Sequence, residues 1–222
     1  MDERVFCHPR APPSSAAAAA QAERRAHHSG SGVLCSSGAA YNRPMSVFTN
    51  PASGAAEQAA AYVAAILDLL GTSEPMTVLR DTPAALRRAI DGLSQEQLRT
   101  PERPGKWSIA QVLQHLADSD LVWGWRARLI LAQDRPPITG YDQDLWAERL
   151  HYDEANPDES LATFGVLRSA NLRLIERASA EELQRVGVHA ERGEESLAHL
   201  RRLYAGHDLL HLRQIGRIRQ AL

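Results

Sequence analysis

After Met45 the apolar residues recur at helical spacing, every three or four positions, and no stretch alternates apolar and polar as a half-buried strand does. That spacing suits helices that each bury one stripe. The first predicted helix runs from Ala55 to Leu70, with Ala59, Tyr62, Val63, Ile66, Leu69 and Leu70 inward, and Gly71 ends it. Thr82-Pro83, an N-cap followed by proline, opens a short second element that carries Leu86, Ala89 and Ile90 and stops near Gly92. Pro101 to Trp107 reads as an extended loop. Ser108 then caps a long helix, with Gln111 completing a capping box and Trp107 placed to staple onto Val112. This helix should reach about Gln133, with Val112, His115, Ser119, Val122, Arg126 and Leu129 inward.

Asp134 to Asn156 reads as a long loop holding Tyr141, Trp146 and Tyr152 beside Asp142 and Asp144, and loops of that length are often functional. A further helix is predicted over Asp158–Ala178, with Leu161, Phe164, Arg168, Asn171, Ile175 and Ala178 inward. The last covers Glu194–Ala221, with Leu197, Leu200, Tyr204, His207, His211, Gln214 or Ile215, and Ile218 inward. Long helices with seven-residue apolar spacing predict an all-α, up-and-down four-helix bundle with an additional short helix.

Residues 1–44 differ in kind. They hold the run Ala16 to Ala20, Pro12-Pro13 and Ser29-Gly-Ser-Gly32 without apolar periodicity, which predicts a disordered tail. They read alternatively as an extension of the gene model, with translation beginning at Met45, so that the bundle occupies 45–222. Cys7 and Cys35 both fall in this tail and form neither a thiolate metal motif nor a disulfide framework. A reduced, cytoplasmic protein is the expectation. The 25 Lys and Arg nearly balance 27 Asp and Glu, and the arginines are spread among acids, so neither nucleic acid nor a membrane surface is an expected partner. The chain has no run of 18 apolar residues. A small-molecule substrate is the expected partner, with a homodimer as an option.

His207 and His211 lie four apart on the inward stripe of the last helix, so their rings point the same way. His115 occupies the corresponding stripe of the long helix. Three imidazoles from two helices can form a site with open coordination positions, as catalytic metals have, and neutral nitrogen ligands suit zinc, nickel, iron or copper. The competing reading is that these are buried histidines satisfied within the core. His8, His27 and His28 fall in the tail, and His151, His189 and His199 read as surface or loop residues.

Two stretches resemble the DinB-like four-helix bundles, a family that includes YfiT-like and maleylpyruvate isomerase-like proteins. They are Gly105-Lys-Trp-Ser-Ile-Ala-Gln-Val-Leu-Gln-His-Leu-Ala-Asp-Ser119 and Gly206-His-Asp-Leu-Leu-His-Leu-Arg-Gln-Ile215, with Phe164-Gly-Val-Leu-Arg168 and Asn171-Leu172 between them. The resemblance covers about 55–222. It implies a metal held by His115, His207 and His211, and thiol-dependent transferases and isomerases among the relatives.

An open three-histidine metal can activate a low-molecular-weight thiol or a water. A thiol-dependent S-transferase, with zinc or nickel as the metal, ranks first on the family analogy, and a metal-dependent hydrolase second. A non-catalytic, metal-stabilised binding or stress-response module is the alternative of another class. Arg168 and Asn171 are candidate substrate-binding residues, against a reading in which Arg168 pairs with a buried acid. Asp118 is a candidate to orient a ligand imidazole, and Asp208 more readily points sideways. Arg126, on the inward stripe of the long helix, is the weaker arginine candidate, because its helix end can lie outside the bundle and let it reach solvent. His207-Asp-Leu-Leu-His211 also resembles the zincin motif, but Asp is one methylene shorter than the usual Glu base, and only eleven residues follow His211.

Overall fold

A computed structural model describes residues 56–222. The tail expectations, with Cys7, Cys35, His8, His27 and His28, lie outside the described residues. Seven helices and three short strands follow in order: α1 (Ala56–Leu70), α2 (Pro75–Ile90), α3 (Gln95–Arg99), α4 (Ile109–Ala132), β1 (Pro137–Ile138), α5 (Gln143–Arg149), α6 (Pro157–Arg177), β2 (Val186–His189), β3 (Gly193–Ser196) and α7 (Leu197–Ala221).

The expected all-α four-helix bundle is present. Its members are α2, α4, α6 and α7, each packed on two others, while α1 lies against α7. Side-chain bonds fix the directions. Ser160 bonds to Gln114 and Arg168 to Asp120, so α6 runs parallel to α4. Arg168 meets both Leu79 and Asp208, and Arg219 reaches Ala89, so α7 runs parallel to α2. Arg80 pairs with Glu176 while the Arg87 guanidinium lies beside Gly165, which sets α6 antiparallel to α2. The order is therefore up, down, down, up instead of strict alternation. Residues 133–156 provide the long return that lets α6 run beside α4 in the same direction.

Several boundaries differ from the sequence reading. α2 starts at Pro75, seven residues before the expected cap, because Glu74-Pro75 supplies the same signal. The Glu74 carboxylate accepts from the Thr77 backbone at 2.7 Å, and Pro83 sits inside the helix. The presumed short element is thus a full bundle helix. α3 was not expected, although Ser94 and Gln97 form its capping box. The Ser108–Gln111 box at the start of α4 is as predicted. The presumed loop 134–156 contains β1 and α5, with Asp142 capping α5. Strands β2 and β3 pair antiparallel and β1 joins β2 in parallel. Four-residue strands are too short to show a period, and Glu194, read as helical, belongs to β3.

Two apolar clusters fill the bundle. One gathers Met76, Leu79, Trp123, Ile130, Ile175, Leu200 and Tyr204; the other gathers Leu86, Ile109, Leu116, Leu161, Phe164 and Ile215. On every bundle helix, polar residues lie between the two. They are Thr82 on α2, Ser119 and Asp120 on α4, Arg168 and Asn171 on α6, and His207, Asp208 and His211 on α7, all buried. Buried polar groups need partners, and this layer is where the chemistry concentrates.

Candidate metal centre

His115 projects from α4, and His207 and His211 from one face of α7. Their Nε2 atoms converge: His115 to His207 is 3.1 Å, and His207 to His211 is 3.1 Å. One ligand atom from each of the three lies within 4.8 Å of the others, and all three residues are buried. The Trp107 ring stands 5.1 Å from that of His115 and screens it. Trp107 also packs against the apolar cluster that holds Val112.

Hydrogen bonding among the rings does not satisfy this cluster. A neutral imidazole has one N–H. His211 Nδ1 faces Gln214 Oε1 at 2.8 Å, and donating to that oxygen leaves the His211 Nε2 lone pair aimed at His207. His115 Nδ1 is buried without a partner among the described residues. Burial pushes His115 and His207 well below the ordinary imidazole range, with the neighbouring rings adding to it, and takes His211 to about 4. All three are therefore neutral at pH 7, the state a metal ligand requires. Nitrogens about 2.0–2.1 Å from one ion lie about 2.9 Å apart in facial octahedral geometry and about 3.3 Å apart in tetrahedral geometry. The 3.1 Å separations fall between these values, so the residues fit the group.

The other sequence candidates lie elsewhere. Arg168, 1% exposed, spends its guanidinium on Asp120, on Asp208 through two bonds of 2.6 and 3.0 Å, and on the Leu79 carbonyl. Asn171 donates to the Asp120 carbonyl and carboxylate and accepts from Arg128. The substrate role expected of these two gives way to a structural one: a buried ion pair needs every donor engaged. Asp120 still rises to about 6, because burial outweighs Arg168. Asp118 does not orient a ligand ring; it accepts from Tyr152 at 2.5 Å and from Gln114 at 3.3 Å. Gln214 orients His211 instead, and its i+3 spacing on the same helix face is a signal that the sequence carried. Asp208 is turned to Arg168, which removes it as the base of a zincin-type site.

A cavity of about 40 Å³ opens beside His207. Ser119 and Arg126 of α4, Tyr62 of α1, Tyr204 of α7, and Tyr141 and Arg192 also line it. Arg126 is buried, as its inward position implies, and does not reach solvent at the helix end, because the segment containing β1 folds over its end of α4 and offers the Thr139 carbonyl at 2.8 Å. His189 is likewise buried and not on the surface, since β2 is covered. Nothing in the residue pattern around Arg192 or Tyr141 announced that they meet at this cavity.

Known proteins agree with the fold. The DinB superfamily model matches residues 79–215. A Bacillus cereus (strain B4264) protein named "Putative metal-dependent hydrolase" is 35% identical over 144 residues, spanning 65% of this chain and 83% of that protein. A protein of the same description from Bacillus mycoides (strain KBAB4) is 34% identical over the same length and coverage. Among solved structures, "YfiT from Bacillus subtilis is a probable metal-dependent hydrolase with an unusual four-helix bundle topology" superposes with a TM-score of 0.59 and 30% identity, covering 64% of this chain and 84% of that one. By the matched superfamily model, and by relatives at 35% identity over most of their own length, the chain belongs to the DinB superfamily.

Proposed function

We propose that His115, His207 and His211 hold one divalent transition metal, zinc or nickel, and that the protein is a metal-dependent hydrolase acting on a small-molecule substrate. The convergence of three buried, neutral Nε2 atoms beside a cavity carries this reading. When bound, the ion supplies Lewis acidity and lowers the pKa of a nearby water or thiol toward neutrality. Imidazoles bring no negative charge, so the ligand set leaves the full dipositive charge available to an anionic nucleophile. Gln214 holds the His211 ring in place. Trp107 keeps solvent from the His115 side, and the Arg168–Asp208 pair anchors α7 beside His207. The relatives named as hydrolases support water over thiol, which reverses the order suggested by the family analogy alone.

A thiol-dependent S-transferase is the second reading, favoured by one observation. Asp118 and Asp208, the carboxylates next to the ligands in sequence, are both engaged elsewhere. A thiol that ionises on binding needs no general base, whereas water attack gains from one. Elemental analysis of the purified protein tests the metal, with one equivalent expected in the wild type and a large loss in His115→Ala. Turnover of ester and amide panels, against electrophile panels with low-molecular-weight thiols, then separates the two chemistries. A bound metal without turnover on either panel favours the non-catalytic module. No described helix is long and apolar enough to cross a membrane.

A further inference from the structure

The cavity beside His207 contains a cation without a counter-ion. Arg126 is 5% exposed, and among the described residues no carboxylate pairs with it. Its Nη2 donates to the Thr139 carbonyl, and its buried Nε has no partner among the described residues. Arg192, lining the same cavity, differs: Glu195 neutralises it through bonds of 2.7 and 2.8 Å. A buried guanidinium with no acid beside it is costly until an anion joins it.

The remaining walls suit such an anion. Tyr62, Tyr141, Tyr204 and Ser119 bring hydroxyl groups to the cavity, beside apolar Val63 and Ile66. Burial holds the three phenols protonated, so they can act as donors at neutral pH. A space of about 40 Å³ holds roughly two to four waters. That is room for a small planar carboxylate head, whose two oxygens a guanidinium fork meets through two parallel bonds.

We infer that this cavity is a carboxylate subsite, in which Arg126 receives an anionic carboxylate of the substrate and places the adjoining part of that molecule beside the three histidines. The inference rests on the metal-dependent reading of the site and adds the substrate class to it. It also shifts the arginine role that the sequence assigned to Arg168 onto Arg126.

Acetate and acetamide, equal in shape and different in charge, are the probes. In ¹H–¹⁵N spectra of the full chain, with its metal removed so that acetate has no ion to ligate, the Arg126 Nε–H resonance should shift saturably with acetate. Acetamide should leave it in place. Arg126→Gln should weaken acetate binding at least about tenfold, as loss of a charge-assisted pair implies. Arg126→Lys identifies the resonance by its disappearance. Equal responses to the two probes, or no response to acetate, overturn the subsite. Stoichiometric metal in a protein without an acetate-specific shift removes the subsite alone. An acetate-specific shift in a protein that never holds metal removes the proposed chemistry and leaves an anion site.

Discussion

Arg168 Nη1 donates at 2.9 Å to the carbonyl of Leu79, the carbonyl that Pro83, lacking an N–H, cannot serve. The proline inside α2 is thus matched by an arginine on α6. The same guanidinium pairs with Asp120 on α4 and Asp208 on α7. One side chain therefore ties together all four bundle helices at the level of the polar layer.

Arg168→Met should leave two buried carboxylates without their cation and the Leu79 carbonyl without a donor. Breaking a buried pair from one side costs about 3–5 kcal/mol. Urea unfolding should show that loss, and Arg168→Lys should recover only part of it, because a point charge cannot reach three acceptors in different directions. A substrate-binding role would instead raise KM and leave the unfolding midpoint unchanged.

The histidine site was legible because its geometry is local. His207 and His211 share a helix face by spacing alone, and His115 lies on a stripe that the capping box at Ser108 puts in register. The cavity was not legible. Arg126 looked solvent-bound on a helix whose end should emerge from the bundle, and its burial depends on β1 folding back, a contact between residues without periodic signal. Pro83 misled in another way. Thr82-Pro83 reads as a helix start, whereas Thr82 Oγ1 donates to the Val78 carbonyl within a helix already under way. A proline inside a helix is tolerable where a distant group takes up the freed carbonyl, and here that group lies on α6.

Gln214→Ala should loosen the metal without emptying the site. Its Oε1 fixes the His211 ring through Nδ1, and loss of such a partner typically costs about 10–100-fold in affinity. Competition with a chromophoric chelator measures this. An unchanged affinity would mean that His211 is oriented by helix packing alone.

His189 gives a pH dependence separate from the ligands. Burial first, then Arg192 and Arg126, take its pKa from 6.5 to about 4, with Glu195 opposing. Below pH 6.5 the unfolded chain binds a proton that the folded chain refuses until about pH 4, so stability falls as pH drops through that window. Between pH 7 and 5 the contribution is at most about 2 kcal/mol, less after screening. His189→Asn keeps an acceptor for the Glu191 N–H and removes the titration. Urea midpoints of the variant should therefore decline less between pH 7 and 5 than those of the wild type. Parallel declines would show that His189 protonates freely in the fold.

Two glycines of α7 should respond in opposite directions when replaced by alanine. A Cβ at Gly206 would stand 2.2 Å from the Ile66 carbonyl oxygen, a backbone atom of α1 that cannot swing aside. Gly206→Ala must push α1 off α7, at a cost of about 3 kcal/mol for overpacking at a rigid contact. A Cβ at Gly216 meets no described residue within 4 Å. Gly216→Ala should gain about 0.5–1 kcal/mol, because alanine loses less backbone freedom in a helix. Thermal melts of the two variants read both signs. Because α1 supplies no ligand, a Gly206→Ala protein that still folds should keep its metal while its melting temperature falls. Loss of metal with an unchanged melting temperature would mean that the close approach of α1 to α7 positions His207 instead of stabilising the fold.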